Sequence, residues 1–146
     1  MQKIIFTAHC LLNTAAKVVL YEKEDMAAEE TLRRRFLSKA VNCGIQLVQL
    51  PCPEFTLYGA CRWGHVSNQF DNPFFRNHCR ELLAPYLLQM KEYLAHPERF
   101  RLLGVVGVDG SPSCGVDYTS AGNWYGSFSG RKDCVKCCAR KAWRSE

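Results

Sequence analysis

Three cysteines, Cys10, Cys52 and Cys114, stand just beyond the ends of three apolar runs, each among turn-forming residues: HCLLN at 9–13, PCPE at 51–54 and DGSPSCG at 109–115. Soft thiolates select zinc, copper(I) or iron–sulfur clusters, and three of them can hold such a centre while leaving one position open to substrate. Cysteine-only ligation with a vacancy points to a [4Fe-4S] cluster in which one iron has no protein ligand. Pro53, Pro112 and Gly115 fix tight turns that aim the sulfurs and free backbone N–H groups. Glu54, two residues after Cys52, and Ser111 and Ser113, on either side of Pro112, supply a carboxylate and hydroxyls able to position and deprotonate a water. A single buried cysteine is commonly just a small apolar side chain. The weight lies in three of them occupying corresponding positions after three runs.

Those runs are KIIFTA (3–8), IQLVQL (45–50) and LLGVVGV (102–108). Near-continuous apolar strands of this kind suit a sheet covered on both faces, hence a parallel one. Between the first two, residues 27–43 carry Leu32, Phe36, Leu37, Ala40 and Val41 on a helical stripe, with Gly44 placed to end the helix. Between the second and third, Asp71 or Asn72 caps a helix with Pro73 in its first turn. Its stripe runs through Phe75, Cys79, Leu82, Leu83, Tyr86, Met90 and Tyr93, and Pro85 is expected to kink or divide it. Strand, helix, strand, helix, strand with right-handed crossovers predicts an α/β, Rossmann-like three-layer fold with a mainly parallel sheet. The carboxyl ends of such strands share one edge, with a ligand crevice outside it. Cys10, Cys52 and Cys114 are expected to meet there. GNWYGSFSGRKDC (122–134) reads as turn or loop, and no fourth strand is assigned.

The 146 residues fit a single domain, 1–146, with an atypical basic, cysteine-containing tail from about residue 131. Apolar residues at 47% and charged residues at 23% describe a soluble globular protein. A net charge of +5, spread over several segments, reads as a solvated basic face; it permits an anionic partner, with nucleic acid a minority reading. No apolar run approaches the ~20 residues of a membrane span. The segment MQKIIFTAHCLLNTAAK imitates an export signal, but Thr7 and His9 interrupt it and a first strand is the better reading. A cytoplasmic protein, monomer or homodimer, is therefore expected, and nine cysteines in a reducing compartment suggest metal binding or catalysis. Cys134, Cys137 and Cys138 contain a CxxC spacing without a second ligand pair. Cys43, Cys61 and Cys79 are assigned packing roles, and His65, His78 and His96 none. His9 and Asn13 flank Cys10 and can tune a cluster through hydrogen bonds, while Asp109 before Gly110 reads as turn chemistry. Arg62 and Trp63 can stack on and hydrogen-bond a planar heterocycle.

HCLLN, PCPE and SPSCG, in this order over roughly residues 3–120, resemble the motifs of the TudS-like (DUF523) family, whose characterised members are thiouracil desulfidases. The resemblance implies a Rossmann-like fold and a [4Fe-4S] cluster held by Cys10, Cys52 and Cys114. It also implies catalytic roles for Glu54 and Ser111, which assist water attack while the free iron takes up the sulfur of the substrate. The implied reaction replaces C=S by C=O and releases sulfide without net redox change. Members continue CLLG where this chain reads CLLNTAAKV, so it resembles a divergent branch with a different loop after Cys10. The expected substrate is a small thiolated compound, thiolated nucleobases included, contacted by Asn13, Arg62 and Ser113. Two other classes remain open: a cluster-free enzyme with Cys114 as nucleophile, and a non-catalytic sulfur carrier or binding module.

Overall fold

The structure, a computed structural model, describes residues 1–18, 23–62, 67–117, 119, 121–122 and 128–129, with the backbone alone for 23–26, 121–122 and 128–129. Strand β1 (Gln2–Thr7) lies between β2 (Ile45–Gln49) and β3 (Phe100–Val106) in a parallel sheet of order β2-β1-β3. Each strand falls within two residues of an apolar run, and the fold is α/β and Rossmann-like. Between β1 and β2 the chain forms α1 (His9–Leu12), a 3₁₀ turn (Thr14–Ala16) and α2 (Lys23–Asn42). Between β2 and β3 it forms α3 (Pro53–Tyr58), α4 (Ser67–Phe70) and α5 (Pro73–Ala95). Two-residue strands β4 (Ala121–Gly122) and β5 (Phe128–Ser129) pair antiparallel, apart from the main sheet. Among the described residues no helix is long and apolar enough to cross a membrane. The tail from about residue 131, with Cys134, Cys137 and Cys138, lies outside the described residues, as do Trp63 and His65.

Ile4 and Phe6 alternate onto one face of β1 and are 2% and 0% exposed. With Leu50 and Met90 they form the core, against which Leu83, Tyr86, Leu87 and Tyr93 of α5 pack. Burying each large apolar side chain contributes about 1.5–3 kcal/mol, enough to fix the register of a three-stranded sheet. The predicted stripe on α5 splits between two partners. Phe75 and Cys79 leave the sheet and pack with Phe70 of α4, the two phenyl rings stacking at 4.1 Å. Asn72, not Asp71, caps α5: its side-chain oxygen accepts from Phe75 N at 2.9 Å, while Asp71 pairs with Arg76. Pro85 does not divide the helix, which runs unbroken to Ala95. Pro85 and Glu81, the residue whose carbonyl it deprives of a helix partner, are both exposed.

The stripe on α2 keeps Phe36, Leu37 and Ala40 of the predicted one but not its two ends. Leu32 and Val41 are 66% and 67% exposed, and the inward positions are Arg33, Phe36, Leu37 and Ala40, which keep the i, i+3, i+4, i+7 spacing. Gly44 ends the helix as expected, at φ +65°. The packing roles assigned to Cys43 and Cys61 are also corrected: both are exposed, one past a helix end and one in a loop, and only Cys79 is buried.

Candidate functional site

The parallel register brings three strand ends level. Thr7 pairs with Gln49 on one side and Val106 on the other. Beyond the strands, Leu50 N donates to Thr7 O at 2.8 Å and Ala8 N to Val106 O at 2.8 Å, so the three chains leave the sheet side by side. Cys10 lies in the first turn of α1, Cys52 opens α3, and Cys114 occupies a turn following β3. All three predicted cysteines thus stand on the carboxyl edge.

Cys52 is the N-cap of α3, its sulfur accepting from Phe55 N at 3.3 Å. Pro53 at the first helical position and Glu54 in the first turn are standard helix-start chemistry, a signal in PCPE that the reading of these residues as a tight turn passed over. The Cys114 turn closes on itself. Ser111 N donates to Val108 O at 3.2 Å, Cys114 N to Ser111 Oγ at 3.2 Å, and Val108 N to Cys114 O at 3.1 Å. Gly107 passes so close beneath that a Cβ there would lie 2.1 Å from Cys114 O. Asp109 Oδ1 accepts from Val116 N and Asp117 N at 2.9 and 3.0 Å, the turn role expected of it.

Glu54 and Ser113, 5% and 3% exposed, meet between these loops: Ser113 Oγ donates to Glu54 Oε2 at 2.6 Å. Ser113 Oγ also lies 3.6 Å from Cys114 Sγ, so a hydroxyl links a buried carboxylate to a thiol. The hydroxyl paired with Glu54 is therefore that of Ser113, and Ser111 uses its own to anchor the Cys114 backbone. Asn13, expected at the substrate, turns its side-chain oxygen to Ala15 N at 3.1 Å and caps the 3₁₀ turn.

Arg62 bridges two of the cysteine loops. Its guanidinium donates to Ala16 O at 2.6 Å and Gly59 O at 3.3 Å and lies 5.7 Å from the centroid of the Phe55 ring. His9 stacks with the same ring at 6.3 Å, which ties the residue before Cys10 to the helix after Cys52. Gln49 Nε2 donates to His9 O at 2.8 Å. Arg33 reaches across from α2 to donate to Leu11 O at 2.7 Å and Leu12 O at 2.9 Å, satisfying carbonyls at the end of α1. RRR at 33–35 suggested only a basic face; the phase set by Phe36, Leu37 and Ala40 is the signal that singles out Arg33 as the inward one. His78, given no role in advance, sets Nε2 3.1 Å from Pro53 O and 2.9 Å from Thr56 Oγ1, fastening α5 to α3.

Burial pushes the Cys10 thiol above its ordinary value; Lys17 opposes this, and Cys52 and Glu29 add to it. Burial raises the Cys52 thiol as well, against the Phe55 N–H and Arg62, with Glu54 adding to the rise. Among the described residues, no three His, Cys, Asp or Glu side chains stand together as ligands of one metal ion. Cysteines of a cluster bind different irons and are spaced more widely than ligands of one ion.

A protein of Methanocaldococcus jannaschii described as uncharacterized is 30% identical over 115 residues, covering 79% of this chain and 69% of that protein. The chain belongs to the family of that protein. No protein-family model matches the chain, and no solved structure matches it.

Proposed function

We propose that the protein is a desulfidase that removes sulfur from a small thiolated compound, with Cys10, Cys52 and Cys114 holding a [4Fe-4S] cluster. The observation that carries this reading is the meeting of Glu54, Ser113 and Cys114 beside Cys52 at the carboxyl edge of the sheet. The donor set fits such a cluster: three cysteines on separate loops at one sheet edge, and a backbone N–H already directed at the Cys52 sulfur. Bound there, the cluster would supply an iron open to the sulfur of the substrate.

The residues of the chain account for the rest. Glu54, buried and accepting from Ser113 Oγ, serves as general base toward the water that attacks the thiocarbonyl carbon. Ser113 holds the carboxylate in place and passes its second contact to Cys114. Ser111 keeps the Cys114 peptide in the geometry that aims its sulfur. Arg62, Phe55 and His9 lock the loops carrying Cys10 and Cys52 together, so these two sulfurs are positioned before any metal arrives.

Anaerobic purification from iron-replete cells, followed by iron and acid-labile sulfide analysis and a visible absorption spectrum, tests the reading. Broad charge-transfer absorption that disappears in Cys52→Ser, with sulfide released from a thioamide substrate, is the expected result. Iron-replete protein without cluster absorption ends it. The contact between Ser113 Oγ and Cys114 Sγ favours a second reading, a cluster-free enzyme in which Cys114 is the nucleophile and Glu54 receives its proton through Ser113. Alkylation of Cys114 alone that abolishes turnover by metal-free protein supports that alternative.

A further inference from the structure

Helix α3, which carries Cys52 at its start and Glu54 in its first turn, is only six residues long. A helix that short has little stability of its own, so its position depends on what pins it from outside. His78 of α5 does so at the first turn, with Nε2 3.1 Å from Pro53 O and 2.9 Å from Thr56 Oγ1. The direction of these bonds is fixed, because a carbonyl oxygen can only accept: Nε2 carries the hydrogen. Thr56 Oγ1 accepts from the same imidazole and donates its own hydrogen to Cys52 O at 2.8 Å, so the chain of donations ends on the peptide of the cysteine. His78 is itself held in place. Phe75 and Cys79, on either side of it in α5, are 2% and 4% exposed, and its ring lies against that of Phe75 at 6.3 Å. The far end of α3 has a separate anchor in Tyr58, which stacks on Phe70 at 6.1 Å.

We propose that His78 is a positioning residue for the reaction: by bracing the first turn of α3 against α5, it sets where the Glu54 carboxylate and the Cys52 sulfur stand. Cys52 and Glu54 are the two chain neighbours of Pro53, whose carbonyl His78 holds. Glu54 Oε2 meets Ser113 Oγ at 2.6 Å and Cys52 Sγ meets Phe55 N at 3.3 Å, and a swing of this turn would lengthen the first contact while loosening the second. Misplacing a reacting group by about 1 Å can cost about 100-fold in rate. His78 donates to α3 itself, so its loss should lower kcat and leave KM in place. This inference rests on the desulfidase reading for the reaction that is served, but the brace requires no cluster.

The test compares His78→Ala with His78→Gln, which keeps a side-chain N–H able to reach the same acceptors. In metal-free protein, amide exchange followed by NMR is read at Phe55, Thr56 and Gly59, whose N–H groups make the bonds that close α3. In cluster-loaded protein, sulfide release from a thioamide is measured per loaded cluster. His78→Ala should exchange these amides about fivefold faster or more, with the amides of β1 unchanged. Its kcat should fall about 10- to 100-fold with KM within about twofold of native. His78→Gln should recover most of both. Native exchange in His78→Ala, native kcat despite faster exchange, or equal losses in the two variants overturns the inference. Native protein that takes up no cluster and releases no sulfide defeats the desulfidase reading, whereas faster exchange in His78→Ala of that same protein upholds the brace.

Discussion

Gly107→Ala is the substitution whose effect follows most directly from the backbone. The added methyl would lie 2.1 Å from Cys114 O and 2.8 Å from Val116 Cγ2. The valine methyl can rotate away, but the carbonyl belongs to the turn itself. To restore a separation above 3.0 Å the Cys114 peptide must retreat by about 0.9 Å. That movement stretches the bond from Val108 N, 3.1 Å long, past any useful length. Overpacking costs about 1–3 kcal/mol and the lost bond about 1 kcal/mol more, roughly 2–4 kcal/mol together. For a domain of this size that lowers Tm by roughly 6–16 °C. The Cys114 sulfur moves with its peptide, so iron and sulfide content after anaerobic reconstitution should fall as well. Thermal melts by circular dichroism and iron analysis check the two effects separately. An unchanged Tm would refute the close approach; a lowered Tm with full iron loading would refute the link between this turn and the cluster.

Glu54→Gln retains an acceptor for Ser113 Oγ, so the fold and iron content should persist while turnover falls by about 10²- to 10⁴-fold, measured as sulfide release; a sulfur carrier would be indifferent to the change. Arg33→Met strips Leu11 O and Leu12 O of their donor and should cost about 2–3 kcal/mol, read as a lower midpoint in urea. Cys10 and Cys52 have folded values raised by burial above the ordinary thiol value of 9.0. Their contribution to the stability of metal-free protein is therefore complete below that value and declines as pH rises through the higher folded values. Tm should fall above about pH 9, and the double variant Cys10→Ser, Cys52→Ser should flatten that fall. Because ligation demands thiolates, iron uptake should release protons and proceed more readily at pH 8.5 than at pH 6.5, followed by absorption during reconstitution.

Local patterns in the chain determined the frame. Three β-branched apolar runs separated by two helical segments admit few arrangements, and the parallel α/β unit is the one formed, with Gly44 and Asn72 marking helix boundaries by their own chemistry. The positions of Cys10, Cys52 and Cys114 beyond strand ends followed from the same runs, because residues leaving parallel strands must emerge on one edge. Tertiary structure decided what periodicity leaves open. Ser111 and Ser113 are chemically the same and lie two residues apart, and only the closing of the turn onto Glu54 gave the buried contact to Ser113 and the backbone anchor to Ser111. Among three consecutive arginines, the rotation of α2 against the sheet chose Arg33 to reach the carbonyls of α1. Leu32 and Val41, the two ends of the predicted stripe, became exposed, while Arg33 took an inward position on the same face as Phe36, Leu37 and Ala40. The Lys17–Glu29 pair joins residues twelve apart in the chain, a spacing that no local pattern of the sequence singles out.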